Sequence, residues 1–117
     1  MKESSLVDLS RTFAVNVVNI CSDIKKRGKS NPLLSQFIRS GTSIGANIHE
    51  ANYASSRLDF INKLQIALKE CYETEYWLSI FKDTDMISED EYKKLYSENS
   101  KIRIMLIASI NTAKDNK

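Results

Sequence analysis

Helix-breaking residues are nearly absent from this chain, which has one proline and three glycines in 117 residues. An all-β sandwich needs many tight turns, and those turns are rich in glycine and proline. Apolar residues instead recur at steps of three and four in long segments, the spacing of a helix with one buried face. The 42% hydrophobic content and net charge of +2 exclude a disordered chain. The sequence therefore predicts an all-α fold.

Capping signals divide the chain into four segments. Each begins near a residue that favours a helix N-terminus; these are Ser5, Asn31 (before Pro32), Ser56 and Ser88. The first segment ends in a run of cations followed by Gly28, a strong stop signal. The predicted helices span roughly residues 5–27, 32–54, 57–83 and 89–113. Short connections favour antiparallel neighbours, so residues 1–117 should form one domain, an up-down-up-down four-helix bundle.

An apolar stripe over five turns identifies the core-facing side of the first helix. Its members recur at steps of three and four: Leu6, Leu9, Phe13, Val17, Ile20 and Ile24. The third and fourth helices carry comparable stripes, centred on Cys71 and Ile102. We expect all of these residues in one core.

The second helix is unusual because it lacks charge. From Ser30 to His49 the only formal charge is Arg39. A helix with one buried stripe normally has a charged outer face, so most of this helix should be covered by protein. A desolvated guanidinium needs a carboxylate, and the third helix offers several. We expect a structural ion pair between Arg39 and Glu70 or Glu73; Glu50 and Glu75 are further candidates.

Small residues fill positions 40–46 of the same helix except for Ile44. Glycine inside a helix costs about 1 kcal/mol relative to alanine, so two glycines four residues apart need a reason. Either a neighbouring helix of the same bundle or another subunit approaches closely there. The residues expected at this helix or oligomer contact are Gly41, Ser43, Gly45, Ala46 and Asn47.

Residues with catalytic or metal-binding chemistry are sparse. His49-Glu50 begins like a zinc-binding H-E-x-x-H helix, but position 53 is Tyr53 and there is no second histidine. Cys21 and Cys71 both lie on apolar stripes, as core thiols do. We therefore predict no catalytic residue, no metal site and no cofactor. A nuclease-like enzyme using Arg39, His49 and Glu50 is the least favoured alternative.

A basic cluster closes the first helix and consists of Lys25, Lys26, Arg27 and Lys29. Residues 1–57 carry a net charge of +4 and residues 58–117 a net charge of −2. This modest asymmetry makes the cluster a candidate nucleic-acid contact. Alternatively, the cations only stabilise the helix C-terminus through its dipole.

Two segments resemble the motifs of the 23S rRNA-intervening-sequence protein family, also called four helix bundle proteins. The first is RSGTSIGANI at residues 39–48, followed by Glu50 and Ala51. The second lies in the third helix and includes IALKE at residues 66–70 and YWL at residues 76–78. The resemblance implies a four-helix bundle assembled as a barrel-like homopentamer, and it implies no catalytic residues.

The family takes its name from reading frames in insertions within bacterial 23S rRNA genes, which is a genomic context and not an activity. Its relatives include the accessory variability protein of diversity-generating retroelements, a basic pentamer that binds nucleic acid and a reverse transcriptase. The leading hypothesis is therefore a non-enzymatic homo-oligomer that binds RNA or DNA weakly and without sequence preference. An oligomeric adaptor for a protein partner is the alternative.

The expected location is the cytoplasm, without a membrane partner. No apolar run approaches the ~18 residues needed to cross a bilayer. The first residues lack the apolar stretch of a signal peptide.

Overall fold

Four α-helices make up the computed structural model, which describes residues 3–115. They are α1 (Glu3–Lys26), α2 (Leu33–Ala51), α3 (Arg57–Asp83) and α4 (Glu89–Asp115). The all-α prediction is confirmed, and no strand occurs in the described range. Five of the eight predicted helix boundaries differ from the structure, by one to three residues. Ser5 lies inside α1 and does not cap it, and α2 ends at Ala51, three residues before the predicted end.

Side-chain caps fix the start of α3 and α4, whereas the N-cap residue of α2 is Pro32 and the predicted cap, Asn31, lies one residue before it. The Ser88 hydroxyl accepts the Glu91 backbone N–H at 3.1 Å, and the Glu91 carboxylate accepts the Ser88 N–H at 2.9 Å. This reciprocal pair is the full capping box expected from the sequence. The Ser56 hydroxyl accepts the Asp59 N–H at 3.1 Å, and the Asn31 side chain accepts the Leu33 N–H at 2.8 Å.

Left-handed residues end α1 and α3 in the same way. Gly28 has a φ of +76°, and the Lys29 N–H reaches back to the Ile24 carbonyl at 3.1 Å. Asp85 has a φ of 60°, and the Met86 N–H reaches back to the Phe81 carbonyl at 2.9 Å. Both are Schellman-type ends, in which the backbone turns away from the helix axis. Gly28 predicts the end of α1 from the sequence, whereas Asp85 does not identify the end of α3 in this way.

The helices occupy the corners of a square in the order α1, α2, α3, α4. Close backbone contacts join α1 to α2, α2 to α3, α3 to α4 and α4 to α1, and none joins the diagonal pairs within residues 3–115. The body measures 51 × 21 × 20 Å. The sides α1–α2 and α3–α4 are therefore opposite each other.

One apolar core runs through the square and receives side chains from all four helices. Its largest fully buried members are aromatic or branched, and they include Phe13, Phe37, Phe81, Leu64 and Leu106. Leu9 is a correction to the predicted stripe, because 38% of it is exposed and Ser10 is buried instead. The reason lies on α2, where Gly45 approaches the Ser10 backbone closely and leaves room only for a small side chain.

Gly41 and Gly45 are contacts between helices of one chain. A Cβ built on Gly41 would lie 2.9 Å from the Val17 Cγ2 atom, closer than real Cβ contacts. A Cβ on Gly45 would lie 3.3 Å from the Ser10 carbonyl oxygen. Of the two explanations that the sequence left open, close packing within the bundle accounts for both glycines.

Two buried polar contacts cross the core. The Thr74 hydroxyl donates to the Ser40 hydroxyl at 2.9 Å, which links α3 to α2. The Asn99 side-chain amide donates to the Cys71 carbonyl at 3.0 Å, which links α4 to α3. The Asn99 side-chain oxygen has no hydrogen-bond partner. A buried acceptor of this kind costs stability, so Asn99 specifies the packing more than it strengthens it.

The Gly41 contact predicts a coupled pair of substitutions. Gly41→Ala should lower the free energy of unfolding by roughly 1 kcal/mol, because overpacking against Val17 exceeds the gain in helix propensity. In the double variant with Val17→Ala, the loss should be smaller than the sum of the two single losses by at least about 0.5 kcal/mol. Urea denaturation of all four proteins measures this cycle. A comparison of Gln36→Ala with Gln36→Gly measures the helix-propensity contribution at an exposed site of the same helix, outside the groove. Additive losses would show that a methyl group on residue 41 does not meet Val17.

Candidate functional site

The Arg39 guanidinium lies on the outer side of α2–α3, between two carboxylates. It donates to Glu70 at 3.3 Å and to Glu73 at a shorter distance. The Trp77 indole N–H also donates to Glu73, at 3.0 Å. The bonds from Arg39 and Trp77 hold the pKa of the Glu73 carboxyl below its ordinary value. Arg39 thus pairs with two carboxylates, and Trp77 forms a hydrogen bond with one of them.

Arg39 is not desolvated, which corrects the expectation drawn from the charge-poor helix. Its side chain is 47% exposed. The outer side of α2 is simply open in the single chain, because α1 and α3 cover only its flanks. The ion pairs are therefore surface pairs, for which the net contribution to stability is about 0–1 kcal/mol.

The three side chains proposed for a nuclease do not converge. Arg39 and His49 are ten residues apart on α2, which separates them by about 15 Å along the helix. Glu50 pairs with Lys63 at 3.1 Å, and the His49 ring packs beside the Tyr53 ring with centroids 5.5 Å apart. Within the described residues, no group of three or more His, Cys, Asp or Glu side chains is placed to hold a metal ion.

Both cysteines are buried and neither is in a disulfide. Burial raises the pKa of the Cys21 thiol to about 11 and that of the Cys71 thiol to about 12. Thiolate is the reactive form, so neither group is an activated nucleophile near neutral pH. They serve as core side chains.

Two members of the basic cluster at the end of α1 have partners in the structure, and two do not form ion pairs within the described residues. Arg27 forms a two-pronged ion pair with Glu91, at 2.5 and 3.1 Å, and Lys29 donates to the Asp85 carbonyl at 2.6 Å. These contacts tie the α1–α2 connection to the α3–α4 connection. Lys25 and Lys26 are exposed, and neither forms an ion pair within the described residues.

Acidic residues share that end of the bundle. They belong to the end of α3, the start of α4 and the connection between them: Asp83, Asp85, Glu89 and Asp90. Each is exposed. The positive charge of one segment is visible in the sequence, whereas folding brings a second segment of opposite sign beside it.

A shallow groove runs along the outer side of α1–α2, and we call it the α1–α2 groove. Small and apolar side chains supply most of its lining: Val7, Ser10, Ala14, Val15, Val18, Thr42, Gly45 and Ala46, with Arg11, Asn19, His49 and Glu50 at its edges. Val15 and Val18 are 46% and 45% exposed. Of the predicted contact residues, Gly45 and Ala46 line the groove and Gly41 lies beneath Val17. Ser43 and Asn47 are half-buried outside it, where the Asn47 amide donates to the Ser43 carbonyl at 2.9 Å.

The opposite side, α3–α4, carries aromatic side chains that the sequence analysis missed. We call this surface the aromatic ridge; it consists of Tyr72, Tyr92, Tyr96, Lys82 and Arg103, together with the exposed Ile104, which follows Arg103 along α4. The Tyr92 and Tyr96 rings stack with centroids 5.6 Å apart, and the Arg103 guanidinium lies 5.8 Å from the Tyr72 ring centre. Arg103 also donates to Glu75 at 2.8 Å. Only the mutual position of α3 and α4 reveals this grouping, because its members come from two segments of the chain.

Comparison with known proteins identifies the family of the chain. The family model of the 23S rRNA-intervening sequence protein matches residues 2–108. The chain belongs to this family. The resemblance of residues 39–48 and of the third helix to the family motifs is thus confirmed by a match over most of the sequence.

A solved relative shares the fold over nearly its whole length. The crystal structure of a protein with unknown function from the S23 ribosomal protein family of Bacteroides thetaiotaomicron VPI-5482 is 45% identical to this chain. The match covers 95% of this chain and 99% of that one, with a TM-score of 0.92. No curated protein matches this 23S rRNA-intervening sequence protein.

Among the described residues, no helix combines the length and the apolarity that crossing a bilayer requires.

The exposure of Arg39 gives a prediction that differs from that of a buried pair. Arg39→Leu should lower the free energy of unfolding by no more than about 1 kcal/mol at neutral pH. Because the folded pKa of Glu73 is lowered, the pair stabilises the fold above the ordinary carboxyl pKa of 4.5, and this contribution disappears as the pH falls through the lowered value. The difference between the wild type and Arg39→Leu should therefore shrink in acid.

Denaturation of both proteins between neutral and acidic pH provides the measurement. Arg39→Lys is the matched control, because it retains the charge and removes the two-pronged geometry. A loss of ~3–5 kcal/mol at neutral pH would indicate a desolvated pair and contradict the exposed position of Arg39.

Proposed function

We propose that this protein is a non-enzymatic homo-oligomer, in which up-down-up-down bundles stand side by side in a closed ring and present weak nucleic-acid contacts at one end. The family resemblance supplies the expected number of subunits, which is five. The observation that carries the proposal is the α1–α2 groove, an uncovered apolar side on a helix with a single formal charge between Ser30 and His49.

The up-down-up-down topology is supported by the order of contacts along neighbouring helices. Between α2 and α3, Phe37 meets Phe81, Arg39 meets Glu70 and Glu50 meets Lys63. Between α1 and α4, Asn16 bonds to Glu98 and Arg27 to Glu91. In both pairs, residue numbers rise on one helix as they fall on the other, as antiparallel neighbours require.

Assembly is supported by the character of the groove. Small proteins seldom leave a contiguous apolar surface open unless something binds to it. Val15 and Val18 are about half exposed on α1, and Ala46 is exposed across the groove on α2. A second copy covering this side would remove the valines from water, and it would meet few charges that need partners.

The non-enzymatic part of the proposal is supported by the dispersion of reactive groups. General acid–base catalysis needs side chains within hydrogen-bond reach of one substrate. Here Arg39 faces α3, His49 lies at the α1–α2 groove and both thiols are in the core.

Nucleic-acid binding is supported by Lys25 and Lys26, the two exposed cations of the basic cluster that form no ion pair or side-chain hydrogen bond within the described residues. Two lysines on one subunit attract phosphates weakly and without reading bases. A ring repeats the pair once per subunit, and a strand that reaches several pairs binds with a higher effective affinity.

The first expectation concerns the mass in solution. Light scattering at micromolar concentration should give about five times the 13.4 kDa mass of the chain. A particle of 13.4 kDa under these conditions would contradict the proposed assembly.

The second expectation concerns salt. Fluorescence anisotropy with labelled single-stranded RNAs of different sequence should show weak, similar affinities that fall steeply with salt. The double variant Lys25→Glu and Lys26→Glu should weaken binding and flatten the salt dependence, while the oligomer keeps its mass. A double variant with the same charge change at Lys69 and Lys101, two exposed lysines far from this end, is the control.

Two results would reject nucleic acid as the ligand: no binding at low salt, or equal effects of the two double variants. A protein partner is then the second candidate, and one observation favours it. The acidic residues around Asp85 and Glu89 give the same end of the bundle both signs of charge, which suits a protein surface better than a polyanion.

A further inference from the structure

The α1–α2 and α3–α4 sides of the bundle differ in shape. The α1–α2 groove is lined by small side chains, and the aromatic ridge of α3–α4 presents large ones. We infer that the groove of one copy receives the aromatic ridge of the next copy, so that the contacts in the assembly run head to tail. This inference rests on the proposed oligomer and names the surfaces that build it.

The two surfaces lie on different sides of the square, which leaves both free for a head-to-tail contact. A head-to-tail contact uses two different surfaces of each subunit, and it closes a ring when the rotation between neighbours closes. Because α1 contacts α2 and α4 but not α3, the α1–α2 and α3–α4 sides face in opposite directions. Each subunit then has one neighbour on each side.

The two surfaces also lie at the same height along the bundle. Contacts around the square connect the middle sections of all four helices: Val17 to Gly41, Ser40 to Thr74, Cys71 to Asn99, and Glu98 to Asn16. Val15 and Val18 flank this level on α1, and Tyr72 and Tyr96 lie within one turn of it on α3 and α4. A rotation about an axis parallel to the bundle therefore brings the groove and the ridge together.

Four of the five ion pairs among the described residues lie on the other two sides of the bundle. The α2–α3 side carries the Arg39 and Lys63 ion pairs, and the α1–α4 side carries Asp23, Glu91, Lys94 and Glu98. On the ridge, Arg103 is already paired with Glu75. In the groove, Arg11 has no ion-pair partner within the described residues, and tyrosine ring faces attract a guanidinium.

The available area is sufficient for a stable contact. A body of 51 × 21 × 20 Å presents sides on the order of 1,000 Å², and a standard specific interface buries about 800 Å² per partner. Tyrosine and arginine, the main residues of the ridge, are enriched among side chains that dominate binding energy. A groove lined by Ala14, Thr42, Gly45 and Ala46 leaves space for them.

Three matched substitutions test the inference by replacing an exposed β-branched residue with glutamate. Val18→Glu alters the groove, Ile104→Glu alters the ridge, and Ile66→Glu alters the α2–α3 side as a control. Val18 and Ile104 are 45% and 61% exposed, and Ile66 is 44% exposed. Light scattering should give a monomer for each of the first two variants and the wild-type mass for Ile66→Glu.

An equimolar mixture of the two interface variants makes the decisive measurement. One intact groove and one intact ridge remain per pair, so the mixture should form a 1:1 heterodimer of twice the monomer mass and nothing larger. A mixture that stays monomeric would overturn the inference. So would a Val18→Glu or Ile104→Glu protein that assembles like the wild type, because the altered surface would then lie outside the contact. A monomeric wild type would instead reject the proposed oligomer.

Circular dichroism verifies that the variants fold. If Val18→Glu or Ile104→Glu fails to fold, Ala46→Glu and Tyr96→Glu alter the same two surfaces and carry the same expectations.

Discussion

The close approach of α1 and α2 at Gly41 and Gly45 determines much of this molecule. Without a Cβ at either position, Val17 and the Ser10 backbone come into direct contact with the α2 backbone. The residues that flank this line are small as well, so they cannot cover the neighbouring valines of α1. Tight packing inside the bundle and an open apolar groove outside it are therefore two consequences of one stretch of sequence. This explains how the small-residue run serves an intrachain contact and also shapes a surface.

The four sides of the bundle differ in the side chains that they expose to water. The α2–α3 and α1–α4 sides hold charged pairs. Because water solvates these charges, leaving them exposed costs little free energy. The α1–α2 side exposes Val15 and Val18, and the α3–α4 side exposes tyrosines beside the Arg103–Glu75 pair. Because these two pairs of sides alternate around the square, the α1–α2 and α3–α4 sides are opposite each other. A self-complementary dimer through one side would leave the other uncovered, whereas a head-to-tail ring covers both.

Most of the fold could be predicted from local signals, because caps, breakers and apolar periodicity act within a few residues of each other. The exceptions involve distant parts of the chain. Leu9 fits the period of α1, but the approach of Gly45 moves the buried position to Ser10. The basic cluster is visible in the sequence, but in the structure Arg27 pairs with Glu91 and Lys29 donates to the Asp85 carbonyl. The aromatic ridge has no linear signature, since α3 and α4 each supply only part of it.

Buried polar contacts give the surfaces their fixed heights. An apolar core tolerates sliding of one helix along another better than a specific hydrogen bond does, and a slide of one turn is about 5.4 Å. Such a slide would separate Thr74 from Ser40 and Asn99 from the Cys71 carbonyl, leaving buried polar groups without partners. These two bonds therefore align α2, α3 and α4, and the Gly41–Val17 contact aligns α1 with them. A ring needs the groove and the ridge at equal height in every copy, so the polar residues of the core set the geometry of the surface.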